Sequence, residues 1–403
     1  MCTRAAVTRL AISEDGTTVL GVHLKRSRKN KDDKNGADCF VKVRREAIIC
    51  SGAFVSPLIL MHSGIGPSEV LNKHDIPCIH DLPVGRNLRD HLLFSFVMES
   101  ALYESVHALQ NSIIALLWHL LLYIVWGVGF LATGPLGRAA FIKTDYLDEK
   151  TMTVCSSTED GHDTMDPLSA KNVPDVEIMS LTSTGLDRNM AGKNLISVIA
   201  CLSQPKSVGT LELASKDPED AAKVDFPYLT DQEDVVVSRK AARFSMRLLE
   251  EFVKDPEYTH KVSVMTAPSI NRTPQDWNSH SKGLSRKMGP LNPAVSGVPP
   301  STETQAFIPR SEVEKSWDTV TDEEIDAYVL AVAIPGNHAA STCNMSVSPE
   351  NGVVDQRFKV HGMKNLRVAD ASALPMLPSA HTMLPMMMFG LRCADFVKDE
   401  WAG

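Results

Sequence analysis

The sequence predicts a chain of mixed α/β and α+β class with two lobes, and three stretches carry that prediction. Residues 40–66 read as a strand, a small-residue turn and a Ser-Pro helix start. Residues 174–254 read as turn-linked strands followed by a long helix, the pattern of an antiparallel sheet with helices packed on one side. Residues 365–396 read as a short strand, a Pro-rich crossing and a last helix.

The totals are compatible with this. A length of 403 residues suffices for a large core or for two to three domains. Hydrophobic residues make up 43% and charged residues 22%, an ordinary globular balance. A net charge of −8 argues against a nucleic-acid groove, which needs a basic surface. The eight cysteines form no C-x-x-C pair and suggest neither a zinc site nor a disulfide scaffold; no metal ligand set is expected. Scattered thiols fit a reducing compartment. Met1-Cys-Thr-Arg-Ala-Ala-Val7 has no long apolar core, so no signal peptide is expected and the chain as written is placed in the cytoplasm.

Val7–Ile12 and Val19–Leu24 read as strands turned at Gly16, and the basic run Lys25–Lys34 as a solvated hairpin tip. Phe40–Ile49 returns as one strand and runs into Cys50-Ser51-Gly52-Ala53. Ser56 is the expected cap of the next helix, Pro57 its first residue and Gly64 its stop. The small residues before that helix let a ligand approach the backbone.

Ile113–Leu131 is nearly all apolar and just long enough to cross a bilayer. His119 lies inside it, two glycines loosen its end, and no Lys/Arg cluster flanks it. A buried helix or one apposed to a membrane is therefore favoured over a span. Gly127-Val-Gly129-Phe-Leu-Ala132 formally matches the dinucleotide fingerprint, but Thr-Gly-Pro follows where a helix should start, so the match is read as chance.

Pro174–Met179, Leu195–Ser203 and the segment after Gly209 read as strands. Asp231 to Lys254 reads as a helix with Phe244, Met246, Leu248, Leu249 and Phe252 toward the core. The Pro-, Ser- and Asn-rich residues 267–316 read as a long loop, insertion or lid. A helix opens at Asp322 and leads to Pro335-Gly-Asn-His338-Ala-Ala-Ser-Thr342-Cys-Asn-Met345. After the strand at Leu366–Ala369 and the turn Asp370-Ala-Ser, Thr382 is the expected cap of the last helix, with Pro385 in its first turn. Leu384, Met387, Met388 and Leu391 mark an apolar face. His381 then stands just outside a helix N-terminus, where free N–H groups and the helix dipole favour negative charge.

The segments Ser51-Gly-Ala-Phe-Val-Ser56-Pro57 through Ser63-Gly-Ile-Gly66, Leu82-Pro-Val-Gly-Arg-Asn-Leu-Arg-Asp-His91, and Asp370-Ala-Ser through Ala380-His381-Thr382 together resemble the glucose–methanol–choline family of flavin-dependent alcohol oxidoreductases. The last is most similar to the family's aryl-alcohol oxidase branch. Around His338 the family pattern His-Pro-x-Gly-Thr-x-x-Met is kept at His, Thr342 and Met345, with Ala339 for Pro and Ser341 for Gly. Relatives often carry Arg where this chain has Val208.

The resemblance implies an FAD-binding, Rossmann-like lobe from residues 1–92 and 343–403 and a substrate lobe from 93–342. It implies oxidation of a small-molecule alcohol to an aldehyde or ketone. His338 would be the general base, His381 would hold the alcohol oxygen, and flavin N5 would take the hydride. Val7, Ser51, Gly52 and Ala53 would touch the adenosine end of FAD, and Asp370, Ala371, Thr382 and Met383 the flavin side. His62, His91, His119 and His361 are read as packing or surface residues. By the same resemblance the Gly-rich ADP-binding unit is not in this sequence, so the lobe is expected to be incomplete. The alternative expectation is a truncated, flavin-free and inactive chain that pairs with a partner. The residues point to no particular oligomeric state.

Overall fold

The computed structural model describes residues 2–3, 5–26, 38–101, 104–134, 136–183, 194–257, 263–264, 266–268 and 315–402. Most of the expected hairpin tip at Lys25–Lys34 and of the expected loop at 267–316 lies outside them. In chain order come β1 (Ala5–Ile12), β2 (Val19–Arg26), β3 (Asp38–Lys42), β4 (Ala47–Ile49), α1 (Gly52–His62) and α2 (Ser68–Asn72). Next are β5 (Leu92–Glu99), α3 (Ala108–Asn111), α4 (Ile113–Trp126), β6 (Leu136–Ile142), β7 (Val176–Leu181), β8 (Leu195–Leu202), β9 (Thr210–Glu212) and β10 (Lys223–Asp225). The rest are α5 (Gln232–Lys254), β11 (Ser263–Val264), α6 (Asp322–Val332), β12 (Ile334–Pro335), β13 (Leu366–Val368) and α7 (Met383–Trp401).

The first core joins both ends of the chain. β1, β2 and β3 form one antiparallel sheet, with Gly16 at φ +74° in the first turn. The expected single strand over Phe40–Ile49 is split. After β3 the chain bends, and β4 instead pairs in parallel with β13, Ile48 opposite Arg367. Asn365 holds the two pieces together. Its side chain accepts from the Val19 N–H at 2.7 Å and donates to the Val19 and Arg45 carbonyls. Arg367 is fully buried, pairing with Glu46 at 2.8 Å and with Glu400 of α7. Leu60, Met61, Ile65, Leu71, Leu366 and Val368 pack beside it. Fully burying each such side chain stabilises by about 1.5–3 kcal/mol.

α1 begins at Gly52, not at the expected Ser56 cap. The reason is Asp370. Its carboxylate accepts the Gly52 N–H at 2.9 Å and the Ser56 hydroxyl at 2.5 Å, so a distant residue satisfies the helix start. Pro57 then lies inside the helix and has no N–H for the Ala53 carbonyl. The Thr342 hydroxyl donates to that carbonyl instead, at 2.6 Å.

The second core lies under an antiparallel sheet of order β11-β5-β8-β7-β6, with β12 also on β5. Phe94, Phe96, Leu202, Ala242, Met246, Ile325 and Tyr328 fill the space between this sheet and helices α5 and α6. Asp231 caps α5 by accepting from the Glu233 N–H, and Thr321 with Glu324 forms a capping box on α6. Leu248, expected in the core, is 44% exposed.

Two apolar helices differ from expectation. α4 has no buried residue, so the buried alternative for Ile113–Leu131 is not realised. Among the described residues no helix is long and apolar enough to cross a membrane. In α7 the face of Leu384, Met387, Met388 and Leu391 points outward. A second face, Phe389, Cys393, Phe396 and Val397, packs on the first core, with Phe389 edge-on to Phe358 at 5.2 Å. The sequence carries both stripes, and the aromatic one is turned inward.

Arg367→Ala should leave Glu46, whose side chain is 6% exposed, as a buried unpaired charge. Urea denaturation should show a loss of about 3–5 kcal/mol. A loss below about 1 kcal/mol would contradict this packing account.

Candidate active site

His91, His338 and His381 come from three separate stretches and meet at one place. β12 lies on β5 with Ile334 opposite Leu93 and Pro335 opposite Leu92. Continuing that register brings Gly336 onto His91, and the Gly336 N–H donates to the His91 carbonyl at 2.7 Å. Only glycine fits, since a Cβ on Gly336 would stand 2.8 Å from the Cβ of His91. Asn337 follows at φ +58°, a left-handed conformation asparagine tolerates better than most residues. His338 is thereby turned back over His91. Its backbone N–H donates to Asp90 Oδ1 at 2.7 Å, and its Nδ1 lies 2.9 Å from His91 Nδ1.

His381 reaches the same place from the other side. The Pro-rich crossing before it is held by Gln204, whose amide donates to the Leu377 carbonyl at 2.7 Å and the Ser379 hydroxyl at 3.1 Å. His91 Nε2 is 3.1 Å from the Pro378 carbonyl. The His338 and His381 rings stand edge to face with centroids 4.8 Å apart. His381 Nε2 lies 3.5 Å from Glu177, a buried carboxylate on β7.

Burial dominates the electrostatics. It holds His91 down to about 4, with His338 acting in the same direction. His338 is also lowered, first by burial and then by His381. Burial raises Asp90 to about 6 against the bonds it accepts, and raises Glu177 against the pull of His381. His91 and His338 are therefore neutral imidazoles at neutral pH, able to accept a proton.

The expected cofactor residues form a second group. Asp370 is engaged within the protein: besides Gly52 and Ser56, its other oxygen accepts from the Ser372 N–H and hydroxyl. It shapes the turn. Ala371 accepts from the Ser341 N–H at 2.9 Å, which links this turn to the His338 loop. Ser51 lies at the N-cap of α1, and Ala53 is buried against Thr342. Gly52, at φ +84°, has open space where a Cβ would stand, so a ligand can reach its backbone. Thr382 sits in helical conformation and makes no side-chain cap, contrary to expectation. The first-turn amides of Met383 and Leu384 accordingly have no helix partner, and Met383 is 70% exposed. Val7 is exposed on β1, opposite Leu24, away from these bonds. An open glycine turn and a helix tip with spare donors fit a dinucleotide cofactor with an anionic head.

Two residues escaped the sequence reading. His91, expected as a packing or surface residue, is buried and is also bonded to His338. The available signal was its place after Asp90 at the entry to an apolar strand. Glu177 could have been found as the one acid in Val176-Glu-Ile-Met. His62, His119 and His361 lie outside the cluster: His119 stacks on Phe130 and His361 bonds the Ser346 carbonyl.

Two sequence models described as GMC oxidoreductase match residues 1–93 and 205–390. Dehydrogenase str4 of Strobilurus tenacellus is 28% identical over 375 residues, covering 91% of this chain and 53% of that protein. Oxygen-dependent choline dehydrogenase of Pseudomonas syringae pv. tomato is 26% identical, covering 89% and 50%. A crystal structure of formate oxidase superposes with a TM-score of 0.72 at 25% identity, over 99% of this chain and 60% of that one. The chain spans about half the length of the curated relatives it matches.

His91 and Asp90 make opposite contributions to stability. His91 has its folded value below 6.5, so its share is present above 6.5 and lost as pH falls toward 4. Asp90 has its folded value above 3.8, so its share is present below 3.8 and lost as pH rises through about 6. Between neutral pH and pH 4, wild type should therefore lose about 3 kcal/mol relative to His91→Phe in paired denaturation curves. A difference that stays flat across that range would contradict the buried, neutral state of His91.

Proposed function

This chain belongs to the GMC oxidoreductase family, and on that premise we propose that it oxidises an alcohol CH–OH group to an aldehyde or ketone. The observation that carries this is the edge-to-face pair of His338 and His381 at 4.8 Å, beside the N-terminus of α7. FAD, when bound, supplies the acceptor for the hydride leaving carbon, which no side chain can be. The chain's own residues do the rest. His338 takes the hydroxyl proton. His381, steadied by Glu177, holds the alcohol oxygen by a hydrogen bond. Ser51, Gly52 and Ala53 would hold the cofactor's adenosine end. The amides at the tip of α7 favour the negative charge that oxidation leaves nearby.

A second reading has one observation in its favour. The outward face of α7, with Leu384 63% and Leu391 70% exposed, lies beside the proposed cofactor residues. A chain that holds no flavin and pairs with a partner would leave such a face open. Colour separates the two readings: the purified chain is yellow under the first and colourless under the second.

For the oxidation itself, His338→Ala should lower kcat by about 10²–10⁴ while leaving the flavin content unchanged. The lowered value of His338 places the acid limb of kcat/KM below 6.5, activity falling as pH falls. Turnover of His338→Ala at the wild-type rate would overturn the assignment.

A further inference from the structure

Resting on the oxidation proposed above, we infer that His91 is a positioning residue that sets the tautomer of His338, keeping its proton on Nδ1 and leaving Nε2 bare for the substrate proton. The argument follows two hydrogen bonds. A carbonyl oxygen can only accept, so the 3.1 Å contact of His91 Nε2 with the Pro378 carbonyl places a proton on Nε2. A second proton, on His91 Nδ1, would make a cation of a residue that is 1% exposed, and its burial opposes that charge. His91 Nδ1 therefore presents a lone pair. The atom 2.9 Å away, His338 Nδ1, must donate to it.

A neutral imidazole has one N–H, so once it lies on His338 Nδ1 the other nitrogen has none. The reversed tautomer would set two lone pairs against each other at 2.9 Å. Among the described residues no group donates to His338 Nε2, which leaves that nitrogen free for a substrate hydroxyl. A free histidine side chain prefers the opposite arrangement, with the proton on Nε2. The relay from the Pro378 carbonyl through His91 overrides that preference. The backbone enforces the contact, because Asp90 holds the His338 N–H at 2.7 Å and Gly336 allows the loop to close on His91.

The test is two-bond proton–nitrogen correlation spectroscopy of the full chain labelled with nitrogen-15 histidine, with the His338 signals assigned by their loss in His338→Gln. Wild type at neutral pH should show His338 with a protonated Nδ1 and a bare Nε2. His91→Phe should return His338 to the Nε2–H form and lower kcat by about 10²–10⁴, with KM changed far less. His91→Asn, whose side-chain oxygen can accept from the same position, should keep the wild-type tautomer and most of the rate. A wild-type His338 in the Nε2–H form overturns the inference, as does a His91→Phe spectrum with the tautomer unchanged. If His91→Phe does not fold, the wild-type and His91→Asn spectra decide it. The spectra need no turnover. The stated tautomer in a chain that oxidises no alcohol would end the oxidation reading and leave this inference standing.

Discussion

The pairing of Arg89–His91 with Gly336–Ala340 is the constraint on which the rest of the site depends. Arg89 and Ala340 exchange both backbone hydrogen bonds, at 3.1 and 2.8 Å. Gly336 bonds the His91 carbonyl, and Asp90 bonds the His338 N–H. These contacts extend the β5–β12 ladder past its last paired residue and carry the register of the large sheet into a loop. An imidazole on a free loop would cover a wide range of orientations. Here the Asp90 carboxylate fixes the backbone and His91 fixes the ring, so most of the ordering entropy is spent on folding before any ligand arrives.

The cost of this arrangement is local and electrostatic. Asp90 is a buried carboxylate that accepts from the backbone N–H groups of His91, Asn337 and His338 and from the Tyr228 hydroxyl at 3.3 Å. Desolvation still outweighs them. The same burial keeps His91 and His338 neutral, which is the state a proton acceptor needs. Across the cluster, Glu177 stands behind His381, and the tip of α7 offers unbonded amides beyond it. Neutral bases on one side and a partial positive charge on the other suit a reaction that releases a proton and leaves an anion.

Much of this was legible in the sequence. The strands around Gly16, the antiparallel sheet under α5 and the acidic start of α6 follow from local pattern, and the resemblance implied the partnership of His338 with His381. What failed to show were choices made by distant partners. Ser56 has the chemistry of a helix cap, and nothing local says that Asp370 will satisfy the helix start instead. Phe40–Ile49 alternates like one strand, but β13 competes for its second half. α7 carries two apolar stripes, and only tertiary packing selects the one holding Phe389 and Phe396. His91 reads as a packing or surface residue, and nothing local says which. Its contact with His338 depends on a residue 247 positions away.

Backbone hydrogen exchange at the His338 amide tests the central claim most directly. If Asp90 holds that N–H, the amide should exchange as slowly as those of β5 and β8, and Asp90→Ala should speed its exchange at least about 100-fold while leaving the β8 amides unchanged. A His338 amide that exchanges in wild type at the rate of an open loop would contradict the account.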